Sequence, residues 1–393
     1  MKIVYFGNTL NRHQVYVADE LYSLTNGNFV YVETVAPTIV NLSNGGKAKI
    51  NRNYVLESYK CSDYYSEALQ LARSADVALF GADSLSYEIE RMKLNRNGIA
   101  FEVSERFLKR GWFNLLSPHV LKRMWYYHMH RWSKKPIFKL CASAYGAIDQ
   151  YKLFSFKNRC YKWGYFTKVE DIDINRIITE RTLLKTNSTG LSKRSIHMMW
   201  CSRFLSWKHP ELAIMLANRL KMNDYSFKLD MFGEGQQLET MKSLSFKLNL
   251  NDVINFCGNV SNDEVLAAMR LHDIFLFTSD SREGWGAVLN EAMSNGCVPI
   301  ASDAIGAVPY LINNGINGLS FKSLDLDSLY DNVVYLIENP NICSKLAIAA
   351  YHSMKEIWSP QNAARNFLKL CQDLVTGEDQ NSILVGPCSK ALP

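Results

Sequence analysis

Residues 274–301 read IFLFTSDSREGWGAVLNEAMSNGCVPIA. The stretch opens on the apolar run Ile274–Thr278 and closes on a second, Val298–Ala301. Between them lie a polar loop carrying Glu283-Gly284-Trp285-Gly286 and a helical pattern ending near Asn295. Short continuous apolar runs mark strands buried on both faces. Gly296 stands where a helix ending at Asn295 wants a left-handed residue. Strand, loop, helix, strand is a βαβ unit, whose two strands run parallel. In such a unit the free amides at the helix start point above the sheet, and two glycines let backbone N–H groups approach a ligand such as a diphosphate.

Outward from this block the alternation continues. Downstream, helical patterns fill 326–338, 342–357 and 362–374. Upstream, strand patterns fall at 196–201, 227–232 and 253–256, a helix with Pro in its first turn at 210–220, and Ser261-Asn-Asp-Glu264 reads as a capping box. A first series occupies the amino-terminal part: strands at 2–6, 29–35, 77–80, 99–103 and 138–142, with helices at 14–24, 62–73, 85–96 and 118–130. The expected fold is α/β: two Rossmann-like doubly wound domains facing each other across a cleft at the carboxyl ends of their sheets, where ligands of such folds bind. The predicted domains are a first at 1–166, a connection at 167–194, and a second at 195–358. A terminal helix at 359–375 has the option of packing back on the first domain, and a poorly ordered tail at 376–393 follows.

The 393 residues, 47% hydrophobic and 21% charged, describe an ordinary folded chain. No apolar run is long enough to span a membrane, and the start, MKIVYFGNTLNRH, turns polar too early for a secretory signal. A cytoplasmic protein is expected. The nine cysteines include no C-x-x-C pair and the histidines lack ligand spacing, so no structural metal is expected. Residues 1–166 hold 23 Lys+Arg against 13 Asp+Glu, whereas the whole chain holds 44 against 38. The basic excess is therefore confined to the first domain and asks for an anionic partner. No nucleic-acid-binding signature accompanies it, which leaves an anionic membrane or a diphosphate-bearing acceptor.

Glu283 and Glu291 are eight residues apart, which on a continuous helix is about two turns along one face. Glu291 can then accept both hydroxyls of a ribose, with Glu283 on a polyol nearer the loop. The same spacing also fits two solvated surface carboxylates. Context separates the two readings. The strand, E-G-W-G, the second Glu and E-A-M-S-N-G-C-V-P-I-A-S together resemble the carboxy-terminal signature of glycosyltransferase family 4. Gly306-Ala-Val-Pro-Tyr310-Leu-Ile-Asn-Asn-Gly-Ile-Asn-Gly318 extends the likeness, with Tyr where that family usually has Glu. Cys201-Ser-Arg203-Phe-Leu-Ser-Trp-Lys208 resembles the family's strand-end pair of cations on the donor diphosphate. Gly233 falls in a stretch that resembles its G-x-G turn, and Val260 in one that resembles the loop whose backbone commonly faces the nucleobase in that family. The resemblance covers residues 196–321 and implies a retaining, metal-independent transferase with no cofactor beyond its nucleotide-sugar substrate, UDP favoured. It implies donor contacts at Arg203, Lys208, Gly233, Val260, Glu283, Gly284, Trp285, Gly286, Ala287 and Glu291, with Arg203, Lys208 and Glu283 catalytic. The implied acceptor is a glycan or polyprenyl-linked glycan of cell-surface polysaccharide synthesis. An epimerase or sugar phosphorylase shares the architecture and is the alternative.

In the first domain Gly7-Asn8-Thr9 ends a strand, and His13 follows at a helix start. Gly7, Asn8 and His13 are acceptor-side candidates, with Glu102 and Glu105 weaker ones. His119, His128 and His130 receive no role. Asp171-Ile-Asp173 and Asp325-Leu-Asp327 match the metal-binding Asp-x-Asp in type but not in placement. Residues 106–139 carry nine cations and eight aromatics with no acid. That composition predicts peripheral binding to the inner face of an anionic membrane.

Overall fold

The computed structural model describes residues 1–37, 50–93, 98–109, 111–187, 195–377 and 382–393. Arg110, residues 94–96 of the helix expected at 85–96, residues 188–194 of the expected connection and residues 378–381 of the expected tail lie outside the described residues. The chain divides into two compact units, Met1–Lys168 with Ile357–Pro393, and Val169–Glu356.

In unit 1 the order is β1 (Ile3–Gly7), α1 (Val15–Leu24), β2 (Phe29–Glu33), β3 (Val55–Glu57), α2 (Ser62–Ser74), β4 (Val77–Phe80), α3 (Leu85–Lys93) and β5 (Ile99–Ser104). The series ends with α4 (Pro118–Met129), β6 (Ile137–Cys141), α5 (Gly146–Lys152) and β7 (Cys160–Lys162). The strands form one sheet, β3-β2-β1-β4-β5-β6-β7, paired in parallel throughout. Every residue of β1 and β4 is buried, as the continuous apolar runs required.

Unit 2 begins with α6 (Ile174–Asn187), followed by β8 (Ile196–Cys201), α7 (Pro210–Met222), β9 (Phe227–Phe232), α8 (Leu238–Lys247) and β10 (Ile254–Gly258). Next come α9 (Asn262–Leu271), β11 (Ile274–Phe277), α10 (Val288–Ser294), β12 (Val298–Ser302), α11 (Val308–Leu311), β13 (Leu319–Phe321), α12 (Leu326–Glu338) and α13 (Pro340–His352). The sheet is β10-β9-β8-β11-β12-β13, again all parallel. The capping box at Ser261 is present in full, the hydroxyl accepting from Glu264 N and the Glu264 carboxylate accepting from Ser261 N. Within the expected connection, α6 is instead a structural part of unit 2. Its Ile174 and Ile178 enter the core, and its buried Arg181 meets Asp273 at 3.2 Å.

The last helix, α14 (Pro360–Thr376), lies in unit 1 against α1 and buries Ala363, Ala364, Phe367, Leu370 and Cys371. The residues beyond it were expected to be poorly ordered, but 382–393 are placed. Lys162 N donates to Ser389 O at 2.8 Å, and Ala391 N donates to Cys160 O at 3.0 Å. An edge strand carries unpaired backbone groups, and the segment Cys388–Ala391 runs alongside β7 and satisfies them.

In both sheets the chain lays down strands toward one edge, returns to the middle and continues the other way. The reversal falls between β1 and β4 in unit 1 and between β8 and β11 in unit 2. Connections leave opposite faces of the sheet there, opening a crevice at the carboxyl ends of the two strands. The crevice of unit 2 lies above the loops that follow β8 and β11.

Candidate active site

β8 delivers the loop 202–209 to this crevice and β11 delivers the loop 278–287. The two loops are tied together from below. Buried Trp200 donates its indole N–H to Thr278 Oγ1 at 2.9 Å, and that hydroxyl donates to the Lys208 carbonyl at 2.7 Å. Asp280 N donates to Trp207 O at 3.0 Å. Lys208 is buried, its ammonium paired with the Glu283 carboxylate and 4.1 Å from the centroid of the Trp207 ring. Arg203 is exposed at the mouth of the same loop. One cation is fixed and one is free to follow a ligand, a combination suited to a diphosphate.

The glycines serve this arrangement by close packing. A Cβ on Gly233, at φ +126°, would stand 2.0 Å from the Ser202 carbonyl oxygen, and one on Gly235 would stand 2.5 Å from that of Phe204. The turn at 233–235 therefore clasps the Arg203 loop: Phe204 N donates to Glu234 O at 2.8 Å and Gln237 N to Phe204 O at 3.0 Å. A Cβ on Gly286, at φ +89°, would strike the Phe277 ring at 2.5 Å. Gly284 is buried, and Ala287 and Val260 are half-buried.

Two expectations are corrected here. The indole of Trp285 is fully buried and donates to Asn290 Oδ1 at 2.9 Å, so it fills the core and presents no face to a ligand. α10 begins only at Val288, so Glu291 lies in its first turn and Glu283 in the preceding loop. The two carboxylates do not share a helix face. Glu283 is half-buried on Lys208, and Glu291 is buried at the helix start. Residues missed from sequence are Ser279 and Ser302, at the carboxyl ends of β11 and β12. Their buried hydroxyls have no hydrogen-bond partner among the described residues. Hydroxyls show no periodicity or spacing by which to find them.

The two Asp-x-Asp matches have other work. Asp325 caps α12 by accepting from Ser328 N at 3.0 Å, and Asp171 pairs with Lys355 at 2.5 Å.

In unit 1, Gly7 makes room for Tyr31, whose hydroxyl would lie 2.3 Å from a Cβ there and donates to Gln14 Oε1 at 3.0 Å. The Asn8 carbonyl accepts from Thr34 N at 3.2 Å. His13 precedes α1, its ring stacked on Tyr165 at 6.0 Å. Burial, reinforced by the Arg12 guanidinium, pushes its pKa down to about 3, leaving a neutral imidazole. Glu102 is not an acceptor-side group. It is buried with Lys139 and Arg123, the latter 3.2 Å away, and Arg123 also reaches Glu88 at 3.0 Å. Glu105 accepts from the Tyr165 hydroxyl at 2.8 Å and pairs with Lys109. Four cations of the 106–139 stretch thus bind carboxylates of unit 1, since Arg106 pairs with Asp149 at 3.2 Å. The aromatics divide as well: Tyr127 and Trp132 are buried, whereas Trp112, Phe113 and Trp125 are exposed, together with Leu116, Leu121 and Met129.

Two doubly wound parallel sheets in one chain, the second with a loop carrying Arg203 and Lys208 at its topological switch point, define a two-unit α/β class of protein. Residues 185–353, which lie within unit 2, match the family described as glycosyl transferases group 1. An uncharacterized glycosyltransferase of Methanocaldococcus jannaschii is 27% identical over 216 residues, 53% of this chain and 54% of its own length. N-acetyl-alpha-D-glucosaminyl L-malate synthase of Bacillus anthracis is 23% identical over 53% of this chain and 55% of its own. The chain thus spans about half the length of these curated relatives. Among solved structures, HepE of Anabaena in complex with UDP superposes with a TM-score of 0.68 at 14% identity, over 95% of this chain and 100% of that one. A glycosyltransferase of Rickettsia africae superposes with a TM-score of 0.65 at 16% identity, over 96% and 99%. These likenesses place the chain in the fold of two-domain glycosyltransferases.

Proposed function

We propose that the chain is a glycosyltransferase of class EC 2.4. It moves a sugar from a nucleoside-diphosphate sugar to a glycan or polyprenyl-linked acceptor, with retention of anomeric configuration. UDP is the favoured nucleotide, since the HepE structure holds it. The observation that carries the reading is the placement of Lys208, Arg203 and Glu283 around one switch-point crevice, with Lys208 and Glu283 already paired. In the proposed step the bond from the anomeric carbon to the diphosphate oxygen breaks as the acceptor oxygen attacks from the same face. The acceptor proton passes to the departing phosphate oxygen. Lys208 and Arg203 stabilise the charge that develops on the diphosphate, the part a metal ion takes in other transferases. Glu291 holds the ribose, Glu283 the sugar hydroxyls, and Gly7, Asn8 and His13 border the acceptor side.

The acceptor side also suggests where the protein works. Among the described residues no helix is long and apolar enough to cross a membrane. The exposed apolar face of α4 and the turn Gly111–Leu116, flanked by exposed Lys122, Arg131 and Lys134, suits peripheral attachment to an anionic inner leaflet. A lipid-linked precursor of cell-surface polysaccharide is met there.

A nucleotide-sugar screen by thermal shift, followed by NMR of the product's anomeric proton, tests the proposal. A donor at about 100 times its Kd adds about 2.7 kcal/mol of stability. Stabilisation by a nucleotide-sugar and an anomeric configuration matching the donor are expected. Inversion, or no stabilisation by any nucleotide-sugar, refutes it.

A further inference from the structure

His209 follows Lys208 directly, and its backbone is left-handed, with φ 49° and ψ 54°. Non-glycine residues avoid that region at a cost of about 1–2 kcal/mol, so something must hold this one there. The ring does. Its Nδ1 lies 2.6 Å from Glu211 Oε1 and its Nε2 3.3 Å from Asp280 Oδ2. Both partners are carboxylates, which accept when ionised. Both bonds form together only when both ring nitrogens carry protons, that is, in the imidazolium.

Asp280 is not an incidental partner. It sits three residues before Glu283, whose N–H donates to the Asp280 carbonyl at 3.0 Å. Its carboxylate also takes the fork of Arg282, with Nη2 at 2.6 Å. The loop with Lys208 and the loop with Glu283 are therefore joined by two ion pairs side by side, Lys208 to Glu283 and His209 to Asp280.

We infer that His209 is a positioning residue for the donor site: its imidazolium, clasped between Glu211 and Asp280, holds the Lys208 loop in register with the Glu283 loop. The inference rests on the reading of Lys208 and Glu283 as donor ligands given above. The charged groups around the ring are Glu211 from α7, Asp280 with its partner Arg282 from the loop after β11, and Lys208 beside it on Glu283. The hydrogen bond to Glu211 is the largest influence and raises the imidazole pKa, with Asp280 adding to it. The sign follows. The clasp is complete while the ring is charged and opens as pH rises through the raised pKa.

The test is calorimetry of UDP binding between about pH 7, where the terminal phosphate is already ionised, and about pH 9.5, paired with 15N NMR of the imidazole nitrogens. The wild type loses affinity by about tenfold across that range, at the lower end for coupled sites. His209→Gln binds at the weak level throughout, with a flat profile. His209→Gly is equally weak, yet melts no lower than the wild type because glycine adopts φ 49° without strain. Asp280→Asn returns the imidazole titration toward the ordinary histidine range. Binding by His209→Gln within about twofold of wild type, or a profile parallel to it, overturns the clasp. If UDP binds none of these proteins, the donor reading fails instead. The imidazole titration then decides the clasp alone, and a titration unmoved by Asp280→Asn overturns it.

Discussion

The ammonium of Lys208 and the carboxylate of Glu283 meet above the β8–β11 boundary, 75 residues apart in sequence. Each arrives on its own loop, and the Trp200–Thr278–Lys208 carbonyl relay holds the loops together. The pair separates the tasks of the two glutamates. Glu283→Gln keeps a hydrogen-bonding group beside Lys208, so UDP affinity stays near wild type while sugar transfer falls by about 10²-fold, the scale of one lost transition-state contact. Glu291→Ala weakens UDP itself. Calorimetry and turnover on the two variants check this, and equal losses of UDP affinity contradict the division.

The Gly233 contact makes a stability prediction with its own control. Gly233→Ala drives a methyl onto the Ser202 carbonyl at 2.0 Å, whereas Gly258→Ala, at φ +70°, meets open space. The first substitution costs about 3 kcal/mol or more through backbone displacement, and the second only about 1 kcal/mol of backbone strain. At about 2–4 °C of Tm per kcal/mol for a unit of this size, calorimetric melting resolves the two. Equal Tm losses would show that the 233–235 turn does not clasp the Arg203 loop.

The proposed membrane attachment rests on the exposed aromatics more than on the number of cations. Trp112→Ser with Phe113→Ser removes side chains worth about 1.5–3 kcal/mol each when buried in the interface and abolishes co-sedimentation with anionic vesicles at any salt. Lys122→Glu with Lys134→Glu weakens co-sedimentation mainly at low salt, because surface charge is screened. Arg123→Glu breaks the buried cluster with Glu88 and Glu102 and lowers Tm. Equal recovery of the aromatic variant and the wild type contradicts the attachment site.

His13 yields a pH prediction. Its folded pKa is depressed from 6.5 to about 3, so the unfolded chain takes up a proton that the folded chain refuses. The stability this group contributes is present above about pH 6.5 and is lost as pH falls toward about 3. The His13 ring resonance stays fixed between about pH 5 and about pH 8, and His13→Gln flattens the acid limb of the stability curve. A titration near 6.5 contradicts the buried placement.

Much of the fold was legible because parallel sheets write themselves as apolar runs: Ile274–Phe277 and Ile196–Cys201 stood out at once. Three-residue strands such as Val55–Glu57 and Leu319–Phe321 are too short to show a period. For Trp285 the resemblance implied a donor contact without saying which way the side chain turns, and its indole turns inward to Asn290. The helix register failed by the few residues that separate Glu283 from Val288. In the 106–139 stretch a count of charges carried no direction, and Arg123 and Lys139 turn inward onto acids of α3 and β5. His209 left no trace at all. Its meaning lies in a left-handed backbone and a carboxylate 71 residues away.

The central claim is that Arg203 and Lys208 hold the diphosphate of the donor in place of a metal ion. Calorimetric titration of UDP in millimolar EDTA, on the wild type and on Arg203→Ala with Lys208→Ala, tests it most directly. The wild type binds with EDTA present, and the double variant, folded by circular dichroism, binds about 10²-fold more weakly or not at all. Undiminished binding by the double variant, or wild-type binding that EDTA abolishes and manganese restores, would contradict the claim.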